Sequence, residues 1–144
     1  MTYRFSFQKV LDFKEKEKEF AEQEYGTIKI KQIELEEKME DLEQEKKKMF
    51  NQYNEVDRKT VSQILHVHQE MEHVNQKMKQ LTSQSQQIHQ QLEEKQLVLI
   101  EKMQEAKMWN QWKAKSKAAF QKQLDQKEQA VLDEMAVLRY SRRV

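Results

Sequence analysis

The sequence predicts an all-α protein, a long two-helix antiparallel coiled-coil hairpin whose second helix is longer than its first. Three observations lead there. The chain is nearly free of helix breakers, its apolar residues recur at alternating steps of four and three, and that recurrence breaks once. Across 144 residues there is no Pro, no Cys and a single Gly, Gly26, while 35% of the residues are charged. Glu, Lys and Gln dominate, and such straight-chain residues lose little rotamer freedom in a helix. A polar chain can also be disordered, but disorder favours Pro, Ser and Gly and lacks apolar periodicity.

The first helix is expected over about residues 4–57. Alternating steps of four and three from Ile28 pass through Gln32, Leu35, Met39, Leu42, Lys46, Met49, Tyr53 and Val56, with only Gln32 and Lys46 polar. The same steps from Ile64 pass through Val67, Met71, Val74, Met78, Leu81, Ser85, Ile88, Leu92, Lys95, Leu99 and Lys102, the exceptions being Ser85, Lys95 and Lys102. A repeat of 3.5 residues held this long implies helices wound about each other with a left-handed supercoil. The seam needs only two positions in seven, which suits so polar a chain.

Between the two runs the frame slips, because Val56 and Ile64 are one residue further apart than a heptad. Thr60-Val61-Ser62-Gln63 reads as a capping box, a hydroxyl for orphan backbone N–H groups and a glutamine three residues on to return the bond. A turn is therefore expected at about residues 57–61, and a second helix over about residues 61–141. No Gly or Pro enforces the stop, so one unbroken helix with a phase slip is the alternative. In the hairpin the second helix overhangs the first by about 25 residues. The whole chain, residues 1–144, then forms a single domain.

Antiparallel pairing brings Phe5, Phe7, Val10 and Leu11 beside Trp109 and Trp112, closing the open end with aromatic packing. Gly26 costs about 1 kcal/mol in a helix interior, which leaves room for a local bend. Five of the eight Met residues lie on or beside the seam, where the side chain fills irregular gaps. Lys46, Ser85 and Lys95 are polar seam positions that weaken pairing and fix its register.

Little points to chemistry. The only histidines are His66, His68, His73 and His89. His66, Glu70 and His73 share a helical face but lack both the HExxH spacing and a shaped cavity, so no metal is expected. One Gly cannot build a phosphate-cradling loop, and no cofactor or catalysis is expected. No apolar run is longer than that of Leu97-Val98-Leu99-Ile100, which is far too short to span a bilayer, and no signal-peptide apolar region follows Met1. The expected place is the cytoplasm, with any membrane association made through a partner.

Net charge is +1, unevenly distributed. Between Glu105 and Asp125 there are five lysines and no acid, so the Lys107–Lys122 stretch is either a docking face or a solvated one. Trp109, Trp112 and Phe120 interleave with those lysines. With only five Arg, three of them in the last six residues, no nucleic-acid partner is expected.

The two ends carry a resemblance. The chain opens Phe5-Ser6-Phe7-Gln8-Lys9-Val10-Leu11-Asp12 and closes Leu132-Asp133-Glu134-Met135-Ala136 with Arg139. An F-x-F-x-K-V-L-D opening, joined by a polar coiled coil to an L-D-E-x-A-x-x-R close, resembles the flagellar export protein FliJ family over the whole chain. The resemblance implies a part of the bacterial flagellar type III export apparatus, similar to the central stalk of rotary ATPases and needed for motility. It implies three partners: the export ATPase hexamer, the cytoplasmic domain of the export gate's large membrane protein, and export chaperones. Such a protein sits at the inner face of the cell membrane without inserting into it. Carried onto this chain, the ATPase-binding residues are Phe5, Phe7, Val10, Leu11, Leu124, Val131, Leu132, Asp133, Glu134 and Arg139. The gate-binding residues are Leu42, Met49, Tyr53, Met71, Asn75 and Met78, although the family often has aromatics where this chain has Met49 and Met71. For each residue, plain coiled-coil packing is the competing role. A general coiled-coil chaperone and a self-associating rod are the competing functions.

Overall fold

The computed structural model describes residues 2–55 and 57–143 and contains two helices, α1 (Gln8–Glu55) and α2 (Val61–Arg143), with no strand among the described residues. The fold is the helical hairpin, with α2 the longer helix at 83 residues against 48. Val56, an expected seam position, lies outside the described residues.

α1 begins at Gln8, later than the expected residue 4. The Gln8 N–H donates to the Phe5 carbonyl at 3.1 Å and the Leu11 N–H to the Phe7 carbonyl at 3.0 Å, closing the first turn. Residues 2–5 are not helical because they are engaged on α2 instead. Tyr3 donates its hydroxyl to the Lys113 carbonyl at 3.5 Å, and Phe5 is buried against Trp112. Tertiary contact outweighs the weak helix propensity of this aromatic start.

Thr60 caps α2 as the sequence dictates. The Gln63 N–H donates to Thr60 Oγ1 and the Thr60 N–H donates to Gln63 Oε1, both at 3.2 Å. These reciprocal bonds satisfy orphan donors at the start of α2 and stop α1 from running on. Lys59 then lays its ammonium over the Tyr53 ring, 3.5 Å from the centroid.

The helices pack in two compact units. In one, residues Ala21–Leu99, Lys95 donates to Glu24 at 2.9 Å and Gln32 pairs with His89 at 3.1 Å. In the other, which joins the chain through Phe20 to α2 from Ile100 onward, Lys14 donates to Glu105 at 3.0 Å and Glu17 lies 3.1 Å from Lys102. Within each unit the partner number on α2 falls as the number on α1 rises, so the strands of the seam are antiparallel. This intrachain pairing uses the apolar row that a parallel dimer of one unbroken helix would need.

Burial follows the predicted steps. On α1 the shielded positions include Ile28, Gln32, Leu35, Met39, Leu42, Met49 and Tyr53; on α2 they run Val67, Met71, Val74, Met78, Leu81, Ser85, Ile88, Leu92, Lys95, Leu99 and Lys102. The row then continues through Ala106, Trp109, Lys113, Ser116, Phe120 and Leu124. Lys46 and Ile64 depart from expectation, since both are exposed. Lys46 can carry its charge to water along a flexible stem. Ile64 lies in the first turn of α2, where α1 is already ending.

α1 passes through Gly26 with no interruption of the helix and no positive φ, so the glycine marks no break. A Cβ there would meet nothing within 4 Å. Gly26→Ala should therefore stabilise the chain by about 1 kcal/mol, read from urea unfolding, because alanine loses less backbone freedom in a helix. Thr60→Ala should cost about 1 kcal/mol in the same assay while Thr60→Ser costs much less, since only the hydroxyl is needed for the cap.

Candidate functional site

In the unit that joins the chain through Phe20 to α2 from Ile100 onward, Phe5, Phe7, Trp109 and Trp112 form one cluster. Phe7 stacks on Trp112 with centroids 5.0 Å apart, Phe5 meets Trp112 edge-on at 6.1 Å, and the two tryptophans lie 5.0 Å apart. Tyr3 adds a contact to Phe120 at 5.4 Å that the sequence pattern did not reveal, because Tyr3 precedes the helix and belongs to no repeat. Of the expected ATPase-binding residues here, Leu11 and Phe5 are buried, whereas Phe7 and Val10 keep an exposed edge. Leu11 and Phe5 can only support a surface; Phe7 and Val10 can be part of one.

Beside the cluster, four charges close a ring. Lys14 Nζ lies 3.0 Å from Glu105 and 3.7 Å from Glu17, while Lys102 Nζ lies 3.1 Å from Glu17 and 3.7 Å from Glu105. Each side chain is about a quarter exposed. Glu17 Oε2 is shielded from water and receives Lys102 away from the ideal hydrogen-bond direction, so two ammonium charges rather than a good hydrogen bond answer it. The bond from Lys14 holds the Glu105 carboxyl below its ordinary value, helped by the charge of Lys102 and opposed by desolvation. Lys102 is raised, first by its contact with Glu17 and then by neighbouring carboxylates, again against desolvation. The two i,i+3 Lys-Glu pairs were visible in the sequence; that they face each other was not.

α2 then outruns its partner. From Asp125 to Arg142 every residue is exposed. Val131, Leu132, Met135, Val137, Leu138 and Tyr140 are all large apolar side chains between 52% and 75% exposed. The remaining expected ATPase-binding residues fall in or next to this run. Leu124 is the last half-buried position, and Asp133, Glu134 and Arg139 are exposed among the apolar residues.

In the Ala21–Leu99 unit, the expected gate-binding residues gather towards the turn. Leu42, Met49, Tyr53, Met71 and Met78 are half-buried and Asn75 is exposed. Met49 and Tyr53 line a 210 Å³ groove with Val67, His66 and Lys59. Asn75 and Met78 line another hollow on α2 itself. His66 pairs with Glu70 at 2.8 Å in an exposed position, and among the described residues no three His, Asp or Glu side chains are grouped to hold a metal. Among them, too, no helix is long and apolar enough to cross a membrane.

The geometry is that of a helical hairpin with an aromatic-locked end, an uncovered apolar helix tail and a grooved surface near the turn. A family model described as flagellar FliJ protein matches residues 3–144. The chain belongs to that family and is a component of the flagellar export apparatus; the family is not one of known enzymes. No curated protein and no solved structure gives a significant match to the chain.

The charge ring makes a pH-dependent contribution whose sign follows from the two shifts. Glu105 titrates lower in the folded chain than unfolded, so its contribution is present above the unfolded carboxyl pKa and fades as pH falls through the folded one. Lys102 titrates higher when folded, so its contribution is full below the unfolded lysine pKa and fades as pH rises through the folded one. Urea midpoints should stay level from about pH 6 to 9 and decline on both sides. Glu105→Gln should flatten the acid decline and Lys102→Met the alkaline one.

Proposed function

We propose that this chain acts as the stalk of the export ATPase. In this reading the aromatic-locked end and the α2 tail enter the ATPase hexamer, and the grooved surface near the turn meets the cytoplasmic domain of the export gate. The same protein escorts export chaperones between rounds of export, and it reaches the membrane only through these partners.

One observation carries the reading: the exposed apolar run from Val131 to Tyr140. Single exposed apolar residues are ordinary, but six large ones within ten residues of a helix otherwise rich in charge are not. Val131, Met135 and Leu138 recur at steps of four and three, the spacing by which a helix inserts anchors into a groove. Asp133, Glu134 and Arg139 supply the charged margin that orients such a contact. Phe7 and Val10 extend the surface, with Phe5 and Leu11 beneath them. On the gate side, Met49 and Tyr53 offer an adaptable apolar groove, a use that methionine suits, and Leu42, Met71, Asn75 and Met78 continue that face.

The test separates contact from folding. The triple variant Val131→Ala, Leu132→Ala, Met135→Ala removes side chains that are each more than half exposed. Its unfolding free energy should stay within about 1 kcal/mol of the parent. Co-purification with the export ATPase and stimulation of its turnover should fall at least about tenfold, a loss of one to two kcal/mol of binding. Full stimulation by the triple variant would remove the stalk reading.

A further inference from the structure

The segment ahead of α1 runs along α2 and leaves a hollow of 660 Å³ lined by Thr2, Tyr3, Arg4, Phe5, Gln8, Lys113 and Lys117. Three of the seven lining side chains are cations and none is an acid. Among the described residues, Arg4, Lys113 and Lys117 take part in no ion pair. The flanking carboxylates on α2, Glu105 and Asp125, are each eight residues from the nearer lysine, about 12 Å along the helix. Glu105 is also occupied by Lys14 at 3.0 Å. The hollow is a local concentration of unanswered positive charge on a chain whose net charge is only +1.

We infer that this hollow is a binding site for an extended, acidic segment of a partner polypeptide. Its shape is set in advance, because Tyr3 is fixed on Phe120 and on the Lys113 carbonyl while Phe5 is fixed on Trp112. Little ordering remains to oppose binding. Lys113 and Lys117 lie one helical turn apart, about 6 Å. Carboxylates at alternate positions of an extended peptide repeat at about 6.6 Å, so one strand face can meet both lysines. Arg4 faces the same space with a guanidinium fork suited to a third carboxylate. Tyr3, half-buried over Phe120, gives apolar surface to a neighbouring aliphatic side chain. Duplex nucleic acid is a poorer match, because affinity for a phosphate backbone grows with the number of cations engaged and here three are confined to one hollow.

The site is defined without reference to the ATPase, and a test with a free peptide leaves the stalk reading standing if it fails. The probe is a fluorescein-labelled peptide of alternating Glu and Leu, followed by anisotropy with the full chain in about 50 mM salt. Binding should weaken at least about tenfold in Lys113→Gln/Lys117→Gln, in Arg4→Gln, with Gln in place of Glu in the peptide, and at about 300 mM salt. Lys47→Gln/Lys48→Gln, two exposed lysines on α1, should bind as the parent does. Arg4 precedes the first helix, so its variant tests the site even if the double variant alters α2. No peptide binding at millimolar concentration overturns the inference. So does equal loss in the Lys47/Lys48 control, or a short DNA duplex or phosphatidylglycerol vesicle bound as tightly as the peptide.

Discussion

Everything in this protein depends on a narrow strip of apolar contact between two helices that are otherwise polar. Few residues are well buried: Leu11, Ala21, Leu35, Val74, Leu92 and Ala106 on the seam, with Phe5 at its end. No large side chain among the described residues is fully enclosed. Burying a leucine stabilises by about 1.5–3 kcal/mol, so with no third layer to add to the strip, stability must accumulate along its length. Length is therefore a physical requirement here, and the near-absence of Gly and Pro is what lets each helix run far enough.

A seam this narrow is decided by its polar layers as well as its apolar ones. Gln32 is 8% exposed and joins His89, with Lys29 donating to its carbonyl at 3.2 Å. Lys95 reaches Glu24, and the Lys14–Glu17–Lys102–Glu105 ring occupies a further stretch. Slipping one helix by a single heptad would preserve many apolar contacts while separating all these partners. Half-buried charges left unpaired are costly, so the polar layers select one register more than they strengthen the pairing.

The same logic explains where the apolar row is left open. Along the paired stretch the apolar row is consumed by the opposing helix. Past Leu124 no opposing helix remains, and the apolar residues of α2 stay open. Near the turn, α1 finishes at Glu55, and the space beside Met49, Tyr53 and Val67 remains a groove with Lys59 folded over its aromatic rim. The hairpin is closed where it must hold together and open where its two helices no longer match.

Much of this was legible from the residues alone. The four-three steps from Ile28 and Ile64 identified nearly the whole seam, and Thr60 with Gln63 identified the cap, because helix periodicity and capping act over a few residues of chain. The opening and closing motifs identified the family. What stayed hidden involved residues far apart in sequence or outside any repeat: the late start of α1, Tyr3 on Phe120, the exposure of Lys46 and Ile64, and the closure of two ordinary Lys-Glu pairs into one ring. Local chemistry determines where a helix begins, which stripe is apolar and where the chain turns. Only the pairing of α1 with α2 decides which residue meets which, because that choice is made by registers of side chains about ninety residues apart, and no short-range rule reaches so far.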